Sequence, residues 1–490
     1  MSFVTGAAMR SLEEAAFRRG VSAEALMNLA GEGIAARLIE QFPLPGSAVG
    51  YVGKGNNGGD ALVALRHLRK AGWTISVRAA YPETEWGTLP RRKLRELAVS
   101  PEQTLPGNPC SGPLLLLDGL LGIGARGPLR DPIAAMAKEM EQLRQQRGAI
   151  IAAMDLPSGL DADTGDGDAM TADLTLTVGV PKIGMSSENG ILRSGRIVLV
   201  PLEDLPMPAD SELRFFCPEA FPGLLKPRPH DFHKGNAGRV GILAGSPGMT
   251  GAAVLCASAA LHAGAGLVTV HVEEDFPRHL VSAMPPEIMV RASADPVSEA
   301  FEAKHDAIVI GPGTGNCSES YHAAVLARLA EESRPLVLDA DALNQIAKAG
   351  KLDLLKSNHI ITPHPGEFAR LAPDLAKEDR IAASRDFVER YPCTLLLKGA
   401  RTLVAAPGEA TRFNPTGHGG MASGGQGDTL AGVIGTLLGQ GLSGPDAAAV
   451  AAWLCGRAAE RCLADGPVCT ATQTIAHLGG AMRDWRERRR

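Results

Sequence analysis

Short apolar runs alternate with helical stretches through most of the chain. From residue 48 the runs AVGYVG, WTISVRAAY, PLLLLDG, GAIIAAMDLPSG, ADLTLTVGV and GRIVLVPL are separated by segments such as DPIAAMAKEMEQLRQQ and a helix carrying Leu62, Leu65 and Leu68. Strands and helices in this order predict an α/β fold with a parallel sheet. The uninterrupted runs at Leu114–Leu117 and Ile150–Met154 are those of strands covered on both faces. Residues before 40 are expected to be helical. Near residue 203 the alternation stops, and EDLPMPADSELRFFCPEAFPGLLKPRPHDFHKGNAG holds six prolines without a sustained period. A boundary is expected there, giving domains 1–210 and 211–490. Beyond it the alternation returns in RVGILAGS, KHDAIVIGPGTG, PLVLDADAL, HIITPHPGE and CTLLLKGARTLVA, before an Ala-rich helical end.

Residues 240–272 contain no Asp, Glu, Lys or Arg and exceed the roughly 20 residues a membrane-spanning helix needs. Glycines at 241, 245, 248, 251, 264 and 266 and Pro247 interrupt the stretch, which favours buried strand, small-residue helix and strand. Over 490 residues, 49 Lys and Arg against 54 Asp and Glu give a net charge of −5. This balance argues against nucleic acid or an anionic membrane as partner, since both need clustered cations. The one basic cluster, Arg486, Arg488, Arg489 and Arg490, is expected to be a solvated end. Eight cysteines, at 110, 217, 256, 317, 393, 455, 462 and 469, form no CxxC pair, which supports neither zinc nor a disulfide framework. The last three fall seven apart and could share a helix face. Glu13 and Glu14 stand where a secretory signal would need apolar residues. A cytoplasmic protein, assembled as a homo-oligomer, is expected.

In open parallel sheets ligands sit beyond the carboxyl ends of strands. Gly53-Lys54-Gly55-Asn56-Asn57-Gly58 is a G-x-G-x-x-G string between strand and helix, but the second strand carries Arg78 where a dinucleotide site needs an acid. Asn56, Asn57 and Asp60 supply amide and carboxylate oxygens that a simple pyrophosphate turn does not require. Asp118 and Asp155-Leu-Pro-Ser158 follow two further strands. Asn57, Asp118 and Ser158 can therefore converge, and hard oxygen donors suit a hard cation. In GGQGDTLAG, the amides of Gly425, Gln426 and Gly427 can turn inward at a helix start as an anion hole. Asp428 beside them can take a proton from an attacking hydroxyl. GxxxxGK[ST] is absent from the sequence, which excludes a P-loop enzyme.

GNNGGD, DGLLGIGARGP and DLPSG, over about residues 5–205, resemble the NAD(P)H-hydrate epimerase family. The likeness implies a Rossmann-like α/β/α sandwich. It implies contact of the hydrated dinucleotide with Asn56, Asn57, Gly58, Gly59, Asp60, with Gly122, Ile123, Gly124, Ala125, Arg126, Gly127, Pro128, and with Asp155. It also implies a potassium ion held by Asn57, Asp118 and Ser158. Asp155 is the candidate acid/base of epimerisation.

HKGNAGRVGILAGS, GPGTG, TPHPGE, KGART and GGQGD, over about residues 213–485, resemble the ribokinase-like fold in its ADP-dependent NAD(P)H-hydrate dehydratase branch. That likeness implies that Ala252, Gly313, His364 and Asp428 face the nicotinamide hydrate. Lys398, Gly399, Ala400, Arg401, Thr402 and Gly427 would bind the adenosine phosphate, with magnesium on the phosphates and Asp428 as catalytic base. The expected function is repair of hydrated NADH and NADPH: epimerisation of the R and S forms by the first half, and ADP-driven dehydration of the S form by the second. The alternative is a ribokinase-type small-molecule kinase fused to a noncatalytic nucleotide-binding domain.

Overall fold

The computed structural model describes residues 1–102, 112–208, 210–274 and 276–487. Cys110 and Arg488 to Arg490 lie outside the described residues. The chain divides into two compact units, Met1–Ser211 and Glu212–Arg489.

In the first unit two helices, Gly6–Arg18 and Ala23–Gln41, precede the sheet. Each opens on a hydroxyl cap: Thr5 accepts from Ala8 N and Ser22 from Ala25 N. Six strands follow: β1 Ser47–Val52, β2 Thr74–Ala79, β3 Leu114–Gly119, β4 Ile150–Met154, β5 Leu174–Val178 and β6 Arg196–Val200. They pair in the order β2-β1-β3-β4-β5-β6, parallel throughout. β1 and β3 are buried at every position, as their apolar runs require. Separate apolar clusters fill the two sides, Ile34, Leu62, Leu65 and Leu117 in one and Tyr51, Leu116 and Ile151 in the other. The strand order reverses between β1 and β3, and open parallel sheets place their sites at the carboxyl ends of strands beside such a reversal.

The second unit carries ten strands: β7 Leu213–Phe215, β8 Arg239–Leu243, β9 Leu267–Glu273, β10 Met289–Ser293, β11 Ala307–Ile310, β12 Leu336–Leu338, β13 His359–Ile361, β14 Thr394–Leu397, β15 Leu403–Ala405 and β16 Thr411–Phe413. Their order is β10-β9-β8-β11-β12-β13-β14-β15-β16-β7. From β10 to β14 the pairing is parallel. β14, β15 and β16 pair antiparallel, and β7 adds to β16 in parallel. The proline-rich stretch thus contributes a strand that the sequence pattern does not announce, because three residues are too few to show a period.

Residues 240–272 fold as β8, the helix Thr250–His262 and β9. Among the described residues no helix is long and apolar enough to cross a membrane. The three cysteines seven apart do not share a helix. Cys455 lies inside Gly444–Arg461, Cys462 follows it, and Cys469 precedes Ala471–Glu487. Cys462 and Cys469 are nevertheless in contact, 2.7 Å between sulfurs.

Candidate functional sites

In the first unit the glycine turn after β1 leads into the helix Asn56–Lys70, whose cap Gly55 has no side-chain partner. A side chain at Gly53 would place its Cβ 2.0 Å from Leu120 O, so only glycine lets the loops after β1 and β3 approach this closely. There Asn57, Asp118 and Ser158 come together. Asn57 Nδ2 donates to Leu121 O (2.7 Å), Leu121 N donates to Ser158 Oγ (2.9 Å), and Ser158 Oγ donates to Asp118 Oδ1 (2.6 Å). Ser158 N and Leu120 N also donate to Asp118, at 2.8 and 3.3 Å. Asp118 is fully buried, and burial pushes its carboxyl above the ordinary range. A buried carboxylate served by neutral donors, beside amide and hydroxyl oxygens, fits a monovalent hard cation.

A cavity of about 100 Å³ adjoins this cluster, with a wall that includes Met9, Leu26 and Met27 and a polar end of Glu13, Asn56, Asp60 and Asp155. Asp155 has φ +71°, a left-handed conformation that a non-glycine residue holds only when its surroundings enforce it. They do: Asp155 N donates to Leu176 O, and Asp155 Oδ1 accepts from Val178 N at 2.9 Å and from the Lys182 ammonium. Lys182 is fully buried and also donates to Val178 O at 2.8 Å. Asp60 is pushed well above the ordinary carboxylate range by burial, with the charges of Asp155 and Glu13 adding to the effect. Glu13 is raised by burial too, with Lys182 opposing. The cavity therefore joins a carboxyl whose burial favours the neutral form to an ion-paired carboxylate, a pairing suited to moving a proton on and off a substrate hydroxyl.

The sequence pattern does not single out Glu13 or Lys182: Glu13 is a charge in an amphipathic helix, and Lys182 is a lone lysine. Its place just past β5 was the available signal. The loop Gly122 to Pro128 closes on itself through Ala125 N to Gly122 O (3.0 Å), and Arg126 pairs with Asp163 at 3.2 Å on the surface.

In the second unit the strand order reverses between β8 and β11, whose loops interlock: Gly245 N donates to Pro312 O and Ser246 Oγ to Gly313 O, both at 2.8 Å. A Cβ at Gly313 would lie 2.7 Å from Ala252 Cβ, so these two expected substrate contacts are neighbours. His364 caps the helix Pro365–Leu371: its Nδ1 accepts from Gly366 N and Glu367 N, while Glu367 Oε2 accepts from His364 N. Its ring remains half-exposed.

The helix Gln426–Gly439 starts behind Gly425, at φ +89°, with Asp428 in its first turn. Lys398 Nζ lies 2.8 Å from Asp339 Oδ1 and 3.7 Å from Glu367 Oε2, and a Cβ at Gly427 would stand 3.3 Å from it. Asp428 is raised to about 6, by burial first and by Asp339 next, with Lys398 opposing. A carboxylate so poised has the chemistry of a general base near neutral pH, and it lies beside a cation and a helix N-terminus that both favour phosphoryl oxygens. Of the remaining expected nucleotide contacts, Gly399 and Ala400 are exposed. The Ala400 carbonyl accepts from Arg380 (3.0 Å), and Arg401 turns inward to donate to Pro415 O at 2.8 Å. Thr402 Oγ1 donates to Gly399 O at 3.4 Å. Among the described residues no group of three or more His, Cys, Asp or Glu side chains is placed to hold a metal ion.

Residues 23–184 match the family described as YjeF-related protein N-terminus, and residues 240–478 the family described as NAD(P)H-hydrate dehydratase. The bifunctional NAD(P)H-hydrate repair enzyme of Coxiella burnetii is 34% identical over 489 residues, covering 96% of this chain and 97% of that protein. The enzyme of the same description from Escherichia coli K12 is 34% identical over 463 residues, 92% of this chain and 87% of its own length. Among solved structures, a ribokinase-like superfamily protein of Enterococcus faecalis aligns at TM-score 0.51 and 25% identity, covering 57% of this chain and 99% of that one. The chain belongs to the family of bifunctional NAD(P)H-hydrate repair enzymes.

Proposed function

We propose that the chain repairs hydrated NADH and NADPH, with the first unit interconverting the R and S epimers and the second dehydrating the S form at the expense of ADP. What supports this most is that the likeness to the bifunctional repair enzymes runs through both units rather than one. The same breadth disfavours a small-molecule kinase carrying an inert first half.

In the first unit the substrate's C6 hydroxyl enters the cavity between Asp60 and Asp155. Asp60, whose neutral form burial favours, donates a proton to the hydroxyl, which leaves as water while the N1 lone pair forms the iminium. Asp155, oriented by Lys182 and Val178 N, takes a proton from the water that returns to the other face of C6. Asn56, Gly58, Gly59 and the Gly122 to Pro128 loop hold the dinucleotide. Asn57, Asp118 and Ser158 would hold potassium, which neutralises the buried Asp118 charge and fixes the loops after β1, β3 and β4.

In the second unit the S hydrate lies against Ala252, Gly313 and His364. Asp428 takes the proton of its C6 hydroxyl as that oxygen attacks the terminal phosphorus of ADP, and AMP leaves. The C6–O bond then breaks with inorganic phosphate as leaving group, and loss of the C5 proton to solvent restores the dihydronicotinamide. The amides of Gly425 to Gly427 and the Lys398 ammonium face the phosphoryl oxygens, and the Lys398 to Thr402 turn holds the rest of the nucleotide. Magnesium, arriving with the nucleotide phosphates, supplies charge neutralisation. The cytoplasm, where both nucleotides occur and free cysteines persist, is the proposed compartment, and a homo-oligomer the proposed assembly. Incubation with purified S hydrate, ADP and magnesium tests the reading: dihydronicotinamide absorbance should return in step with AMP and phosphate, and a stable phosphorylated product would refute it.

A further inference from the structure

Asp339, one of three carboxylates that face Lys398, has no role in the proposed dehydration steps. Asp339 is the residue after β12 and is 1% exposed. Its N–H donates to Ile310 O and its carbonyl accepts from Ala342 N, both at 3.1 Å. The next residue, Ala340, takes φ +49°, which L side chains avoid, so the turn into the helix Asp341–Ala349 is strained where Asp339 is aimed. A Cβ at Gly311 would stand 2.0 Å from Asp339 O, so the loop after β11 also locks this turn. Lys398 is fixed from the other side, its N–H donating to Pro363 O at 2.9 Å.

We propose that Asp339 is a positioning residue of the dehydratase centre: its carboxylate, immobile at the end of β12, holds the Lys398 ammonium beside Gly427 and Asp428, where the transferred phosphoryl group arrives. The inference rests on the dehydration chemistry proposed above. The groups facing Lys398 are Asp339, Glu367 and Asp428; Asp341 and Cys256 also face Asp428, and His364 lies 3.6 Å from Glu367 Oε1. Burial works against the Lys398 charge, and the three carboxylates outweigh it, so the amine stays protonated throughout the working range. A second effect follows from the same placement. Asp339 raises the Asp428 carboxyl and Lys398 lowers it, so removing either charge moves the base in opposite directions. Since Asp428 acts ionised, activity rises with pH through its titration.

The test uses the full chain with Asp339→Asn, Lys398→Met and the double variant, measuring kcat, nucleotide KM and the pH profile of nucleotide-dependent dehydration. Asp339→Asn should lower kcat about 10²-fold, the scale of a misplaced catalytic group, and move the acid limb to lower pH; Asp339→Glu should restore part of the rate. Lys398→Met should move the limb to higher pH. The double variant should be no slower than Lys398→Met alone, because Asp339 acts through the lysine. An unmoved limb in Asp339→Asn, or losses that multiply in the double variant, overturns the proposal. Should Asp339→Asn fail to fold, Lys398→Met decides alone, and an unmoved limb there overturns it. A wild-type chain with no nucleotide-dependent dehydration would instead refute the underlying reaction.

Discussion

Replacing Lys182 by Met isolates the ion pair on which the chemistry proposed for the first unit depends. The lysine side chain is 0% exposed and its partner Asp155 is 15% exposed, so the change leaves a carboxylate facing the cavity with Asp60 and Glu13 near it and no cation. Breaking a buried pair from one side costs about 3–5 kcal/mol. The cavity gives Asp155 some water, which places this case near the lower end, about 3 kcal/mol. For a unit of this size each kcal/mol lowers the melting temperature by roughly 2–4 °C, so the first unit should melt about 6–12 °C lower. Epimerisation should fall by about 10²–10⁴, the range for a lost acid/base group, because Asp155 loses its orientation. Calorimetry follows the unfolding of each unit, and chromatography of the R and S forms follows the rate. Asp155→Asn combined with Lys182→Met should recover most of the stability and none of the activity. A single variant that melts within about 1 °C of wild type and epimerises normally would refute the reasoning, since neither burial nor orientation would then matter.

Asp428→Asn keeps the first turn of its helix and removes the proposed base, so dehydration should drop about 10²–10⁴ while nucleotide binding by calorimetry and epimerisation survive. Asp118→Ala should abolish epimerisation and spare dehydration, and in the wild type the epimerase rate should rise with added potassium; equal rates with and without potassium would reject the cation site. Asp60 has its carboxyl raised above the unfolded value, so its contribution to stability is complete at low pH and is lost as pH rises through the folded value. Asp60→Asn should therefore flatten the loss of first-unit stability toward alkaline pH, measured by urea unfolding at several pH values.

The strands that carry the sites were legible because they are buried on both faces: Leu114 to Leu117 and Ile150 to Met154 leave no room for a polar residue. The carboxyl-end rule then leads to Asn57, Asp118 and Ser158, and the glycine-rich turn before a helix leads to Asp428. What stayed hidden was charge whose partner is distant in sequence. Lys182 meets Asp155 across 27 residues and Lys398 meets Asp339 across 59, and a lone lysine or aspartate in a turn looks the same whether solvated or buried. Glu13 was hidden differently, since only the tertiary fold brings it to the cavity with Asn56, Asp60 and Asp155. β7 escaped because three residues gain their strand character from the neighbouring edge of β16, a tertiary contact that local pattern does not encode.

The central claim, one chain with an epimerase and a dehydratase for the same damaged nucleotide, meets its most direct test in a mixture of R and S hydrates with ADP and magnesium. The wild-type chain should return the dihydronicotinamide absorbance of both epimers. Asp155→Asn should stop once the S form is consumed and continue only at the uncatalysed rate of epimerisation, and Asp428→Asn should equilibrate the epimers without restoring absorbance. Full recovery by Asp155→Asn at the wild-type rate, or no nucleotide-dependent recovery by the wild type, would contradict the account.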